Sequence, residues 1–390
     1  MYNIDTKINM LSDSGSIPFA LPRNIPDVVT TVLSVLSGAH SIGEGIIGFL
    51  TTEDACEFRL VNHECLEAVK AARWTDNNTR IKGSLAKWRA CFPNANTADI
   101  AFRSDLKDDD LVYLRGIKYL NMYSCSGITN AGLAHLTGIH RLCISDCGKI
   151  TDDGLAHLTG IHTLSICGCT KITDEGLRHL TGIKSLGMEG CHKITDAGLG
   201  HLRGISELDI SDCPLITDTG LAHLRGIKDL SLWLSPGITE AGFVHLQGIQ
   251  EMDIRECFDI TDAFLVHLRG IQSLCLFNCP RITDAGLAYL CGIHTLVMYG
   301  YDGITEVGIA YLRGINTLSM MSYGGWQITD ACLAHLSGIY DLDISGCTNI
   351  TPSALEYLKG IQHLYMFQCN PETVTAARTM GLPVYCLSDL

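Results

Sequence analysis

The stretch IHRLCISDCGKITDDGLAHL, Ile139 to Leu158, decides the fold. Leu142 and Ile144 alternate with Arg141, Cys143 and Ser145, the period of a short strand with one buried face. Cys147 and Ile150 carry the apolar row past the strand. Thr151 then precedes DDGLAHL, in which Leu155 and Leu158 are i, i+3 partners on a helical turn. Thr is a good N-cap, and the acid after it suits the positive end of a helix. The glycine of the next L-x-G-I, Gly160, fits a left-handed C-cap, as Gly138 and Gly182 do one copy away on either side.

Outward from this stretch the pair Ile-Thr recurs at Ile128, Ile150, Ile172, Ile194, Ile216, Ile238, Ile260, Ile282, Ile304, Ile328 and Ile350. The step is 22 residues, except for 24 between Ile304 and Ile328, where Tyr323-Gly324-Gly325-Trp326 carries two extra residues. Leu106 holds the same place in a degenerate first copy, giving twelve units over about residues 106–369. Pro352 after Thr351 agrees with a helix start. Arg115, Arg203, Arg225, Arg269 and Arg313 stand before the C-cap glycine, where a cation complements the helix end. Residues 370–390 read as a shorter, irregular remnant that caps the open end.

The pattern L-x-x-L-x-L-x-x-C-x-x-I-T-D resembles the cysteine-containing, ribonuclease-inhibitor-like class of leucine-rich repeats. The resemblance implies an α/β solenoid: a right-handed horseshoe with a parallel β-sheet on its concave face and helices outside.

Twelve copies in one chain separate scaffold from reader. The cysteine column (Cys125, Cys147, Cys169, Cys191, Cys213, Cys257, Cys279, Cys347, Cys369) is interrupted only by Ser235, Tyr301 and Tyr323. Stacked parallel side chains suit neither tetrahedral zinc nor disulfides, so these are expected to be buried free thiols, and no metal or cofactor is assigned. The histidine column (His135, His157, His179, His201, His223, His245, His267, His335) exchanges with Tyr113, Tyr289, Tyr311 and Tyr357. That exchange argues against ligation or proton transfer and for an amphipathic ring packed on the outer helix row.

The strand positions that alternate with the buried Leu and Ile vary, and they are expected to face the concavity. In the middle of the array they are acidic: Glu189, Glu207, Asp209, Asp229, Glu251 and Asp253, with Arg255 as the nearby cation. Beside them runs a stripe of large side chains, Trp233, Phe277, Tyr299 and Met321. Exposed aromatics beside acids suit a protein partner with a basic segment. The alternative is a solvated face with incidental aromatics. On the binding reading, Trp233→Ala or Asp253→Lys weakens a partner without unfolding the chain.

Composition narrows the partners. With 28 basic and 42 acidic residues and a net charge of −14, no nucleic-acid partner is expected, because phosphate neutralisation needs clustered Lys and Arg. No leader sequence and no membrane-length apolar run is visible, and 18 cysteines without a leader point to the reducing cytoplasm, of the cell of origin or of a host.

Residues 1–18 read as a disordered N-terminus and 19–100 as a small all-α domain. Leu21-Pro22 opens an apolar stretch, Phe49-Leu50 closes it, and Thr52 and Asn62 can cap two short helices carrying Leu60, Leu66 and Trp74. The segment from Phe49 to Trp74 resembles the second half of an F-box, though Leu21-Pro22 lies 27 residues upstream rather than about ten. An F-box ahead of cysteine-type repeats is similar to substrate receptors of Skp–cullin–F-box ubiquitin ligases, and the uniform repeats resemble those of giant-virus and bacterial-effector F-box proteins. That resemblance implies adaptor contacts at Leu21, Pro22, Phe49, Leu50, Leu60, Val61 and Trp74, with a client on the repeats.

A rival reading is a free-standing interaction scaffold or inhibitor, with the N-terminal helices serving only as a cap. An enzyme, such as a cysteine-dependent ubiquitin ligase, would need an activated thiol in a separate domain. Cys291 and Cys332 lie off the cysteine column but within repeats, so no catalytic residue is assigned and no enzyme is expected.

Overall fold

The computed structural model describes residues 79–256, 260–300, 303–321 and 328–386, with Ala55, Glu67, Val69 to Ala71 and Trp74; Met321 is described by its backbone only. Packing divides the chain into two compact units, Met1–Lys171 and Ile172–Leu390.

In the first unit Ser84 caps helix α1 (Leu85–Cys91), accepting from the Lys87 N–H, and Phe92 closes it with a bond back to the Trp88 carbonyl. Pro93 follows and cannot extend it. Four parallel strands come next: β1 (Thr97–Asp99), β2 (Tyr119–Asn121), β3 (Arg141–Cys143) and β4 (Thr163–Ser165). β1 lies inside the region expected to be all-helical, so pairing begins one strand before the first Ile-Thr copy. Arg89 ties α1 to that start, donating from Nε to the Tyr113 carbonyl at 2.7 Å and from Nη2 to the Arg115 carbonyl at 2.9 Å. These bonds join the helical region to the first repeats.

The second unit carries β5 (Ser185–Gly187), β6 (Glu207–Asp209), β7 (Asp229–Trp233), β8 (Glu251–Arg255) and β9 (Ser273–Phe277). Then follow β10 (Thr295–Tyr299), β11 (Thr317–Met321), β12 (Asp341–Asp343), β13 (His363–Tyr365) and β14 (Val384–Tyr385), each parallel to the last. Parallel neighbours require a crossover. A 22-residue step leaves room only for a single α turn and a 3-10 turn, such as Asp174–Leu177 followed by Arg178–Leu180. In the C-terminal segment helix Pro371–Thr379 is capped by Asn370 and returns the chain to β14, with Leu364 opposite Val384 and Tyr365 opposite Tyr385.

The core follows the repeat. Leu142, Ile144, Cys147, Ile150, Leu155 and Leu158 are all buried. Several buried thiols donate to a carbonyl of the preceding repeat, Cys147 to Met122 O at 3.2 Å and Cys213 to Met188 O at 3.2 Å, whereas Cys279 donates to Phe277 O of its own repeat at 3.5 Å. Burial pushes the Cys125 thiol up to about 11 and those of Cys169, Cys213 and Cys347 up to about 12. Cys257, Tyr301 and Tyr323 lie outside the described residues.

The arginines before the C-cap glycines reach farther than their own helix ends. Arg115 Nη2 meets His135 Nδ1 at 3.1 Å, Arg313 Nη2 meets His335 Nδ1 at 2.9 Å, and the Arg269 guanidinium lies 4.9 Å from the Tyr289 ring centre. Each spans to the ring of the next repeat. His and Tyr can share that position because both rings accept a guanidinium, one through a lone pair and one through its face.

Candidate interaction surface

Strand register places the second unit's variable residues in rows. Glu207, Asp229 and Glu251 stand opposite one another, as do Asp209, Ser231 and Asp253, and then Arg255, Phe277, Tyr299 and Met321 beside Trp233. Neighbouring strands are about 4.8 Å apart, so each row presents one side chain at that interval.

From β7 to β11 the strands are five residues long, whereas β5, β6, β12 and β13 have three. In β6 and β12 an aspartate at the last strand residue turns the chain out of the ladder. Asp209 Oδ1 accepts the Ser211 N–H at 2.9 Å, and Asp343 Oδ1 accepts the Ser345 N–H at 2.9 Å. Such local bonds compete with pairing. In β7, β9, β10 and β11 the equivalent residues are Ser231, Cys275, Val297 and Ser319, and in β8 it is Asp253, which Arg255 engages; these five strands run on by two residues, whereas β3, β4, β5 and β13 end at three without an aspartate there.

This local chemistry corrects the expected acidic patch. Asp209 is only 4% exposed, so its carboxylate serves the turn rather than a partner. Burial raises it to about 6, and Glu189 and Asp253 push the same way. Asp253 is engaged by Arg255, whose Nε and Nη2 donate to its two oxygens at 2.9 and 2.6 Å. The expectation that Asp253→Lys would act on a partner directly is therefore revised: the change would first break this pair and set two cations side by side. Glu251 is exposed, and Glu207, Asp229 and Glu189 are half-buried.

The aromatic stripe stands at the surface. Trp233 is 38% exposed, and the rings of Phe277 and Tyr299 lie 5.2 Å apart with planes tilted by 44°. Leu234, exposed beside Trp233, holds a left-handed φ of +47° that L-residues adopt at a cost. Sequence reading missed it because it lies off the alternation. It also missed the ring cluster on β13 and β14, where Tyr365 stacks on Tyr385 at 5.1 Å, because Tyr385 falls outside the 22-residue register.

Of the expected adaptor contacts, Leu21, Pro22, Phe49, Leu50, Leu60 and Val61 lie outside the described residues. Trp74 is described and is 2% exposed, its ring 4.7 Å from that of Phe92. It belongs to the packing around α1, which corrects its assignment as an adaptor contact. Among the described residues no helix is long and apolar enough to cross a membrane, and no three His, Cys, Asp or Glu side chains gather as a metal site.

The family model of the leucine-rich repeat matches residues 205–224, the unit that carries β6. No curated protein matches the chain in sequence. Among solved structures, a chain of the Rad7–Elc1 complex of yeast aligns with 94% of this chain and 98% of its own length, at 15% identity and a TM-score of 0.54. A chain of the complex of TLR13 with ssRNA13 aligns with 82% of this chain at 14% identity and a TM-score of 0.57; the match spans 53% of that larger chain. The chain has the α/β solenoid fold of leucine-rich repeats.

Proposed function

We propose that the protein is a non-catalytic substrate-recognition adaptor of the Skp–cullin–F-box type, which binds a client protein on the strand face of its second unit. The observation that carries the client half is the run of five-residue strands β7 to β11, whose added length puts exposed Trp233 and the Phe277–Tyr299 pair on the same strand face as Glu207, Asp229 and Glu251, about 13 Å further along the strands. Rigid aromatics and acids on one face are the chemistry of an anchor for a partner segment that carries Lys or Arg.

The adaptor half rests on the F-box resemblance of residues 49–74. The structural likeness to a chain from the Rad7–Elc1 protein complex is in keeping with a partner protein. The test is capture of a purified Skp-type adaptor by the full chain. Binding lost on Leu50→Asp with the fold intact supports the adaptor role, and no binding by the wild type rejects it.

The rival reading, an interaction scaffold or inhibitor with no ubiquitin link, is favoured by buried Trp74 and by the Arg89 bonds that fasten α1 to the first repeats, which is how a cap behaves. The adaptor test separates the two, because client binding on the second unit is common to both.

A further inference from the structure

The strand face of the first unit has the opposite electrostatic character. Across β2 to β4 the alternating positions read Tyr, Asn, Tyr at 119–123, Arg, Cys, Ser at 141–145 and Thr, Ser, Cys at 163–167; Ser145 and Ser165 are buried, none is a carboxylate, and the nearest one, Asp99 on β1, accepts from the Asn121 amide at 3.0 Å. Immediately before each strand stand Lys118, His140 and His162, all exposed. The rings make a short platform: Tyr119 is 6.1 Å from His140, and His140 stacks on His162 at 4.1 Å with planes 23° apart.

Arg141 lies over this platform, its guanidinium carbon 5.6 Å from the centre of the Tyr119 ring. Its Nε is buried and has no hydrogen-bond partner among the described residues. A buried unmade donor on a charged group is costly, and Arg141 as a whole is only half-buried, so an anion meets the guanidinium from its accessible side. Burial and then three cations, His162 on the following repeat, Arg141 beside it and Lys118 on the preceding one, hold the His140 imidazole below its usual range. An arriving carboxylate relieves that repulsion and favours proton uptake.

We propose that this face of the first unit, centred on Arg141, Tyr119, His140 and His162, binds a short acidic peptide segment of a protein partner. Register fixes the size. Three adjacent strands put about 10 Å between the outer two, which suits one or two carboxylate side chains against the guanidinium. A nucleic-acid backbone needs a longer basic track, and a chain of net charge −14 repels it beyond the patch. The inference is independent of the second unit's client surface.

The test uses the full chain and fluorescein-labelled hexaglutamate, with hexaglutamine and an oligouridylate of similar length as controls, read by anisotropy. We expect hexaglutamate to bind, and to bind more tightly at pH 6 than at pH 8 because the His140 imidazole gains a proton in the complex. Arg141→Gln should weaken it at least tenfold, Lys118→Gln severalfold, and Glu251→Lys on the second unit not at all. His140→Asn should abolish the pH dependence. Should Arg141→Gln disturb folding, the Lys118 and His140 variants carry the same prediction. No binding of hexaglutamate, equal binding of hexaglutamine, or binding of oligouridylate in its place would overturn the proposal.

Discussion

Asp196 grips Thr217 in the next repeat with both carboxylate oxygens: Oδ1 accepts the Thr217 N–H at 2.7 Å and Oδ2 accepts its hydroxyl at 2.6 Å. The same grip joins Asp174 to Thr195, Asp218 to Thr239, Asp262 to Thr283 and Asp330 to Thr351 in the second unit, and Asp108 to Thr129 in the first. The Thr hydroxyl meanwhile caps its own helix, Thr217 Oγ1 accepting from the Thr219 N–H at 3.2 Å. One acid therefore orders the start of the following helical turn, and the array is stitched repeat to repeat.

Loss of this acid should be felt as an unmade charged bond. Asp196→Ala is expected to lower stability by about 2 kcal/mol, read as a fall in the urea midpoint. Asp196→Asn should cost much less, because the chain already contains that solution: Asn130 accepts the Thr151 N–H at 3.0 Å and donates to its hydroxyl at 2.7 Å. Equal losses for Ala and Asn would show that the side chain acts by bulk alone.

The grip also dictates the glycine three residues after each threonine. A Cβ on Gly220 would press into Asp196 Oδ1, and one on Gly242 would lie 2.5 Å from Asp218 Oδ1. Where Phe264 and Cys332 replace that glycine, the acid one repeat earlier is Glu, at Glu240 and Glu306. With its extra methylene, Glu240 serves Thr261 through one oxygen, at 2.7 Å to N and 2.5 Å to Oγ1, and Phe264 packs on Phe243 at 4.6 Å instead. Ala354 after Asp330 tolerates a methyl where Pro352 opens a 3-10 turn. Gly220→Ala should cost about 2 kcal/mol, and Asp196→Glu in the same chain should recover part of it. Strict additivity of the two changes in urea unfolding would refute the coupling.

The repeat, its strands and its cysteine column were legible because their signals are local: Leu142 and Ile144 alternate, and Cys147 recurs. The acid after each threonine reads locally as a partner for the helix dipole, and its actual partner stands 21 residues on, which no single repeat reveals. Asp209 was misplaced for a related reason. Alternation alone points it outward, but an aspartate at a strand end can turn its carboxylate to the N–H two residues later. The lengthening of β7 to β11 was not legible because the alternation is the same in three-residue and five-residue strands.

Thiol chemistry should divide by burial. The Cys147, Cys169 and Cys213 thiols, driven well above the ordinary range by desolvation, should resist alkylation by iodoacetamide at pH 8 in the native protein. Exposed Cys291 should react readily under the same conditions. Peptide mass spectrometry reads both, and modification of Cys147 at the rate of Cys291 would contradict the buried column.

Asp209 should give stability a pH dependence of definite sign. Its carboxyl titrates at about 6 when folded and near 3.9 when unfolded, so the native state binds the extra proton between those values. The charged form therefore weakens the fold progressively as pH rises from about 4 to 6, by about 2 to 3 kcal/mol once fully ionised, and acidification restores it. Asp209→Asn keeps the acceptor for Ser211 and removes the charge. It should raise the urea midpoint at pH 7.5 and match the wild type near pH 4; a gain of equal size at both would reject the titration.

The central claim is that the strand face of the second unit is the surface that meets a protein. A photo-crosslinking residue placed at Trp233, compared in the same lysate with one at Val266, exposed on a 3-10 turn, tests it directly. The account predicts discrete protein adducts from position 233 that are lost when Glu207 and Glu251 are both changed to Lys, and none from position 266. Adducts of equal yield from both positions, or adducts at 233 indifferent to those charges, would contradict it.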